Sequence, residues 1–378
     1  MNGAAADGGR PDGGSPERVL AIDVGAGTAD ILLTRPGQPL ENAVKLVVPS
    51  RTQVVATQIA EATERGRTVV FHGPTMGGGA DGVAMKAHVA AGLPFIATAE
   101  AALSFADDLD RVLGLGVTVI EEATLADRLR DLTPDCAVVQ SGDLDAGGLR
   151  SALELLGADL SCDAVAIAVQ DHGFSPQGSN RVLRFALWEA AVSEGRPLRE
   201  LFYAAADVPP QLTRLRAATR LAAELAGDGP VLAADTGPAA LYGALPDHVN
   251  DAVLVNVGNG HTICVVALAG RLAGVFEHHT GRLDGPGLEE RLRRFLAGRL
   301  ASDEVRADGG HGAVLSSEAA TLDTSLLPLI VTGPRRGLLA GSGLPLEYAA
   351  PHGDMMLTGC FGLLRALRER GATKGAAA

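Results

Sequence analysis

A chain of 378 residues with 47% hydrophobic and 20% charged residues is long enough for two globular domains. A net charge of −13 and an aromatic content of 3% argue against a nucleic-acid-binding protein, which needs a basic surface and stacking platforms. No apolar run reaches the roughly 18 residues of a membrane span, and no secretory signal is visible, so we expect a cytoplasmic protein.

Strand and helix patterns alternate along the first part of the chain. Hydrophobic periodicity predicts strands at 18–24, 29–34 and 43–49, followed by a helix at 53–66. Further strands are predicted at 67–73, 94–98, 117–123, 135–141, 163–170 and 230–235. The helices predicted among them lie at 81–91, 145–157, 180–194 and 211–227.

The second part of the chain repeats this order of elements. Predicted strands at 252–257, 261–268 and 271–279 precede a helix at 286–299, an irregular polar stretch, a strand at 326–332 and a last helix at 354–370. Three antiparallel strands followed by helices and strands thus occur twice, which indicates a duplicated architecture.

The composition also suggests domain limits. Residues 1–17 and 371–378 are rich in small residues, and we expect them to form a disordered and a flexible tail. Between them we expect a first domain at 18–245 with additional α/β segments and a second domain at 246–370.

A glycine-rich turn interrupts the first apolar hairpin, 20-LAIDVGAGTADILL-33. Glycines such as Gly25 and Gly27 let a ligand approach the main chain, and the exposed N–H groups of a tight turn can bind an anion. Thr28 adds a hydroxyl donor, and Asp23 at the strand end can hold a water or Mg²⁺. The alternative for this motif alone is an ordinary β-turn.

A second stretch, 252-AVLVNVGNGHTICVVAL-268, has the same layout, and a third, 329-LIVTGPRRGLL-339, is a strand that ends in Thr-Gly. Together the three resemble the first phosphate, second phosphate and adenosine motifs of the actin, sugar-kinase and heat-shock chaperone ATPase superfamily. The resemblance implies an α/β fold of two ribonuclease-H-like domains with a nucleotide cleft between them, and ATP and Mg²⁺ as cofactors.

The resemblance also implies roles for individual residues. Asp23 would hold Mg²⁺, and Gly25, Gly27 and Thr28 would contact the terminal phosphates. The residues implied on the other side of the cleft are Asn256, Gly258, Gly260, His261 and Thr262 for phosphate, and Gly333 and Pro334 for adenosine. The superfamily usually has an aspartate where this chain has Asn256, which brings no charge, so ATP binding is better supported than ATP turnover.

Several loop phrases give a closer resemblance. They are 74-PTMGGG-79, 170-QDHG-173, 256-NVGNGHT-262, 276-FEHHTG-281 and 309-GGHG-312. These are similar to a family labelled pyruvate formate-lyase activating enzyme-like. An iron–sulfur radical activating enzyme needs a tight three-cysteine cluster, and the four widely separated cysteines of this chain supply none.

Asp171 and His172 directly follow the strand predicted at 163–170, and ligands of open α/β sheets bind at such strand ends. We therefore predict catalytic roles for both residues, with Asp171 as general base on an acceptor hydroxyl. Asp235, at the end of another strand, is a competing candidate. The alternative for either carboxylate is a helix cap or a turn.

Histidines and an arginine in other loops are candidate substrate contacts. Glu277 and His279 should share one side of their strand, with His278 on the other. Together with His172 or His311 they could form a transition-metal site, or they could bind substrate or phosphate instead. His72 and Arg181 are two further predicted substrate contacts. The alternative for His72 is that its loop is only a mobile connector, and the alternative for Arg181 is that it only caps structure.

These motifs support three hypotheses. The first is an ATP-binding phosphotransferase or ATPase that acts with Mg²⁺ on a small molecule. The second is a nucleotide-switched activator or assembly factor for a partner enzyme, and the third is a metal-dependent enzyme that uses the His/Asp/Glu loops. The chain could also form a homodimer.

Overall fold

The structure is a computed structural model that describes residues 16–375. Most of the two predicted tails lies outside this range, although the last helix reaches Gly375. Among the described residues, no helix combines the length and the apolar character needed to cross a membrane.

The first part of the chain forms strands β1 to β10 and helices α1 to α9. The strands are Val19–Val24, Thr28–Leu33, Val44–Pro49, Thr68–His72, Phe95–Thr98, Val117–Ile120, Cys136–Gln140, Ala164–Val169, Phe202–Ala204 and Val231–Ala234. The helices are Arg51–Glu64, Ala80–Ala90, Ala99–Ala102, Leu109–Gly114, Leu125–Leu132, Ala146–Leu155, Asn180–Ser193, Thr213–Ala226 and Thr236–Ala244.

The second part forms strands β11 to β16 and helices α10 to α13. The strands are Ala252–Val257, His261–Leu268, Arg271–His279, Gly312–Leu315, Leu329–Thr332 and Leu346–Tyr348. The helices are Gly285–Leu296, Ser302–Ala307, Ser317–Thr321 and Thr358–Gly375.

The first sheet has the strand order β3-β2-β1-β8-β10-β9. Strand β1 pairs antiparallel with β2 and parallel with β8, which in turn pairs parallel with β10. Every residue of β8, AVAIAV, is buried. A continuous apolar run is what a parallel strand covered on both faces requires.

The second sheet, in the order β14-β13-β12-β11-β15-β16, repeats this plan. Strand β11 pairs antiparallel with β12 and parallel with β15, as β1 does with β2 and β8. Three antiparallel strands joined to parallel ones, twice in one chain, give two ribonuclease-H-like sheets. The predicted fold class is therefore confirmed.

A separate parallel sheet, in the order β6-β5-β4-β7, lies between β3 and β8 in the chain. It has its own core, in which Phe71, Phe95 and Met85 are fully buried. This insertion lies within 18–245, the range expected for the first domain, and its assignment to that domain stays a proposal.

Helices α9 and α13 cross where the two ribonuclease-H-like sheets meet. A Cβ on Gly243 would lie 1.9 Å from the Thr358 carbonyl oxygen, and one on Gly362 would lie 2.0 Å from that of Ala239. Glycine at both positions lets the helix backbones touch. Because α13 packs on β1 and β8 although it follows the second sheet in the chain, the domain limit at 245/246 stays a proposal.

The polar stretch expected to be irregular is not, and this expectation was wrong. It folds into α11, β14 and α12, which bury Val305, Ala313 and Ala319. Each element is only four to six residues long. One or two buried residues in so short a segment leave no measurable period.

Candidate functional site

Two glycine turns face each other between the sheets. In the first, which follows β1, the Gly25 amide donates to the Thr28 carbonyl at 2.8 Å. In the second, which follows β11, the Gly258 amide donates to the His261 carbonyl at 2.9 Å. The identical hydrogen bond shows that the two turns are equivalent, and that His261 takes the position of Thr28. We call the space between them the hairpin cleft.

The two turns are in contact. A Cβ on Gly27 would lie 2.8 Å from Asn259 Nδ2, and a Cβ on Gly260 would lie 3.3 Å from the Cβ of Ala26. Larger residues would therefore force the turns apart. The hairpin cleft has a volume of about 90 Å³.

Gly333 and Pro334 border the same cleft at the end of β15. Gly333 has φ 101°, and a Cβ there would lie 2.5 Å from Asn256 Oδ1, so only glycine fits. Thr262 differs from its predicted placement, because its buried hydroxyl pairs with that of Thr280 at 3.0 Å and it does not line the cleft.

Two carboxylates lie side by side at the base of the hairpin cleft. Asp23 on β1 is directly opposite Asp30 on β2, and both are buried. In each of them Oδ1 has no hydrogen-bond partner among the described residues. Like charges directly opposite on paired strands destabilise a sheet, whereas a divalent cation would hold both oxygens favourably. The donor set therefore fits Mg²⁺.

Sequence reasoning did not identify Asp30. Its position in the hairpin, opposite Asp23 across the turn, was the available signal. Burial raises the pKa of Asp23 well above its usual value, and the negative charges of Asp30 and Asp235 raise it further. Burial raises the pKa of Asp30 to about 7.

The raised pKa of Asp30 predicts a specific pH dependence. Between about pH 4, where an unfolded aspartate ionises, and about pH 7 the folded protein keeps a proton that the unfolded chain has lost, so stability falls as pH rises. With Mg²⁺ chelated, the free energy of unfolding of the wild type relative to Asp30→Asn should fall by about 2–3 kcal/mol between about pH 5 and about pH 8. Urea unfolding at both pH values measures this, and an unchanged difference would contradict it.

A buried arginine connects the two ribonuclease-H-like sheets. Arg184 on α7 donates to Asp235 at 2.7 Å and, through Nε, to both carboxylate oxygens of Glu277 on β13 at 2.9 Å. Trp188 also donates to Glu277, at 3.1 Å. Burial alone would raise the pKa of Asp235, but the charge and hydrogen bonds of Arg184 lower it. No sequence pattern had marked Arg184.

The predicted catalytic carboxylates are already hydrogen-bonded to the main chain. Asp171 accepts from the amides of Gly173 at 2.7 Å and Leu215 at 2.8 Å, one with each oxygen. Asp235 caps α9 by accepting from the Gly237 amide at 3.0 Å. The structure thus gives both residues the structural role considered as the alternative, and a general-base role stays a prediction.

A larger cavity opens beside the hairpin cleft, between the inserted sheet and the first sheet. This side cavity, of about 480 Å³, is lined by loop 75–80, residues 103–107, residues 170–173, Arg214 and the edges of both glycine turns. Arg214 pairs with buried Asp143 at 2.7 Å. His72, by contrast, ends β4 beside Ser141 and does not line this cavity.

Four histidines from different segments meet beside the second glycine turn. His172 follows β8, His261 begins β12, His279 ends β13 and His311 precedes β14. The distances between neighbouring ring centroids run from 4.4 to 5.3 Å. We call these four residues the histidine cluster.

Burial keeps the histidine cluster neutral. It lowers the pKa of His172 to about 3 and that of His311 to about 2, in both cases with a further contribution from Arg184. The pKa values of His261 and His279 are lowered by burial as well. Neutral imidazoles keep a free nitrogen lone pair for a metal or a proton donor.

The remaining predicted contacts lie close to the cluster. His278 is on the opposite face of β13 from Glu277 and His279, with Nε2 3.3 Å from an Asp308 oxygen. Arg181 donates to the Gly309 carbonyl at 3.1 Å and so ties α7 to the loop that carries His311.

The sequence over residues 76–338 matches the family described as "Putative pyruvate format-lyase activating enzyme (DUF1786)". The matched segment is more than half of the chain. The chain belongs to this family. In this DUF1786 member the matched segment contains residues 76–80 of the side-cavity lining, the second glycine turn, Gly333 and all four residues of the histidine cluster. Comparison with curated protein sequences finds no match.

Comparison with solved structures finds matches that extend over most of this chain. Ethanolamine utilization protein EutJ from Carboxydothermus hydrogenoformans is 14% identical, with a TM-score of 0.34 over 94% of this chain and 91% of its own. MreB5 of Spiroplasma citri bound to ADP is 10% identical, with a TM-score of 0.34 over 95% and 98%. A chain of a PilM–PilN type IV pilus biogenesis complex is 13% identical, with a TM-score of 0.35 over 94% of this chain and 98% of its own. These scores are low, and the assignment of the fold to this DUF1786 member rests on its strand order.

Proposed function

We propose that the hairpin cleft binds the phosphates of ATP with Mg²⁺, and that the protein transfers or hydrolyses the terminal phosphate. The observation that carries this proposal is the pair of equivalent glycine turns facing each other above the unpartnered oxygens of Asp23 and Asp30. Amide groups of two opposed turns can contact phosphate oxygens from both sides, and the carboxylates supply the ligands that Mg²⁺ prefers.

Each part of the site has a role in this reaction. Asp23 and Asp30 would hold Mg²⁺, which neutralises charge that develops on the transferring phosphate. The turns Gly25–Thr28 and Gly258–His261 position the phosphates, and electrostatic stabilisation of this kind supplies most of the catalysis in phosphoryl transfer. The side cavity touches both turns and is of a suitable size for a small acceptor molecule.

A nucleotide-dependent switch that acts on a partner enzyme is the second candidate. Two observations favour it. Asn256 brings no charge to the second strand end, and the Asp171 carboxylate has both oxygens bonded to backbone amides. Such a protein would bind ATP and close without rapid turnover, and a partner would recognise the closed form.

The radical chemistry suggested by the family description does not fit the residues. The described cysteines are Cys136, Cys162, Cys264 and Cys360, all free and buried or half-buried. Cys264 lies on β12 in the second sheet and Cys136 on β7 in the inserted sheet. They cannot jointly ligate one iron–sulfur cluster.

Calorimetric titration of ATP and ADP, with and without Mg²⁺, tests the proposal. We expect the wild type to bind ATP more tightly with Mg²⁺, and Asp23→Asn to lose that enhancement. The matched control is Asp228→Asn, at an exposed aspartate, which should behave like the wild type. Failure of every nucleotide to bind the wild type would overturn the proposal.

A second measurement separates the two candidates. Sustained ATP consumption that rises with a small-molecule acceptor supports the phosphotransferase. ATP binding with negligible turnover, combined with ATP-dependent capture of one partner enzyme, supports the switch.

A further inference from the structure

The histidine cluster has the dimensions of a transition-metal site. One ring nitrogen each from His172, His261 and His311 lies within 4.8 Å of the other two. The His172 and His261 Nε2 atoms are 3.4 Å apart. Two nitrogens on one tetrahedral Zn²⁺, with bonds of about 2.0–2.1 Å, are separated by about 3.3–3.4 Å. The spacing of this pair fits a shared metal, and the His311 nitrogen, within 4.8 Å of both, would move closer on binding.

Several nitrogens of these imidazoles have no hydrogen-bond partner within residues 16–375. His311 is fully buried, and both of its ring nitrogens are unpaired in this part of the chain. The buried His261 Nδ1 is unpaired there as well. Buried polar atoms are nearly always paired, so unpaired nitrogens on two neighbouring buried imidazoles indicate a ligand.

Two arginines near the histidine cluster are engaged by other groups. Arg184 is paired with two carboxylates, Asp235 and Glu277, which offset its positive charge. Arg181 directs Nη1 to the Gly309 carbonyl.

We propose that His172, His261 and His311 bind one divalent transition metal ion of the zinc type. Imidazole nitrogens suit zinc, copper, iron and nickel rather than magnesium. The fourth position is open to water or to an oxygen of a ligand in the side cavity, because His172 and His261 line that cavity. His279 packs against His261 and His311, with ring centroids 4.4 and 5.0 Å away.

The metal would connect the two ribonuclease-H-like sheets. His172 comes from the end of β8 in the first sheet, whereas His261 and His311 belong to the second. Binding therefore joins the two sides beside the second glycine turn, of which His261 is the last residue. The ion is separate from Mg²⁺ at Asp23 and needs no nucleotide.

Metal titration of the full chain, free of any affinity tag and stripped with chelator, tests this proposal. We expect one Zn²⁺ per chain by calorimetry and one Co²⁺ per chain by visible absorption, with the intense bands of four-coordinate cobalt. Wild-type protein that takes up neither ion, or gives only the weak bands of six-coordinate cobalt, would overturn the proposal regardless of any variant.

Variants then assign the ligands. His172→Ala and His311→Ala should each weaken Co²⁺ binding by more than about 100-fold, since even second-shell changes cost about 10–100-fold. The matched control His248→Ala removes an exposed histidine and should bind like the wild type. Circular dichroism and the unfolding midpoint without metal show whether each variant is folded. Undiminished binding by folded His172→Ala and His311→Ala would exclude these ligands and overturn the proposal.

Discussion

A double variant, Gly27→Cys with Asn259→Cys, should lose nucleotide binding when oxidised and regain it when reduced. A Cβ on Gly27 would lie 3.8 Å from the Cβ of Asn259. The Cβ atoms of a disulfide are separated by about 3.8 Å on average, so the two turns are already placed for a bond. The oxidised protein would have its glycine turns joined covalently across the mouth of the hairpin cleft.

The expected loss follows from the size of this cleft. It encloses about 90 Å³. Pockets that bury most of a ligand have volumes of about 300–1,000 Å³, so a nucleotide must separate the turns to enter. A disulfide prevents that separation. We expect at least about a 100-fold lower ATP affinity in the oxidised form, a penalty of about 2.7 kcal/mol.

Titration of ATP with Mg²⁺ before and after reductant measures this effect in one preparation. The single variants Gly27→Cys and Asn259→Cys, taken through the same oxidation, are the controls for damage to the turns and to the native cysteines. Equal ATP affinity of the oxidised and reduced double variant, with the disulfide verified by mass, would show that the nucleotide does not pass between the turns.

The glycine turns could be predicted because their cause is local. A turn that brings its main chain against another turn needs glycine. The positions of Gly25, Gly27, Gly258 and Gly260 in the sequence therefore indicate the two turns without any knowledge of the fold. Most strands could also be predicted, because a period-two pattern or a fully apolar run such as that of β8 indicates whether one or both faces of a strand are buried.

The groups that connect distant segments could not be predicted in the same way. Glu277 was expected beside His279 as a ligand or substrate contact, and it is instead the buried partner of Arg184, 93 residues away in the chain. Nothing in the sequence around Arg184 specifies this pairing, since it arises only when α7 packs on β13. Similarly, Asp171 resembles a free strand-end carboxylate until the amide of Leu215 is brought to it by tertiary packing.

Arg184→Met should destabilise the protein by about 3–5 kcal/mol, the usual cost of removing one partner from a buried ion pair. Two buried carboxylates, Asp235 and Glu277, would be left facing each other without a cation. Methionine keeps most of the volume of the arginine side chain. The expected loss of stability therefore comes from the missing charge and not from a packing defect. Trp188, the only tryptophan of the chain, donates to Glu277, and its fluorescence during urea unfolding measures the effect at this contact.

A double variant tests whether unpaired carboxylates cause this loss of stability. Arg184→Met with Glu277→Gln removes one of the two unpaired charges and should recover about 0.5–3 kcal/mol of the lost stability, because contacting residues couple by that amount. Arg216→Met, at an exposed arginine on α8, should change stability by less than about 0.5 kcal/mol. If Arg184→Met were as stable as this control, the arginine would not be the connection between the sheets. A recovery in the double variant would show that the cost of losing Arg184 comes from the two carboxylates, Asp235 and Glu277, that it leaves without a cation.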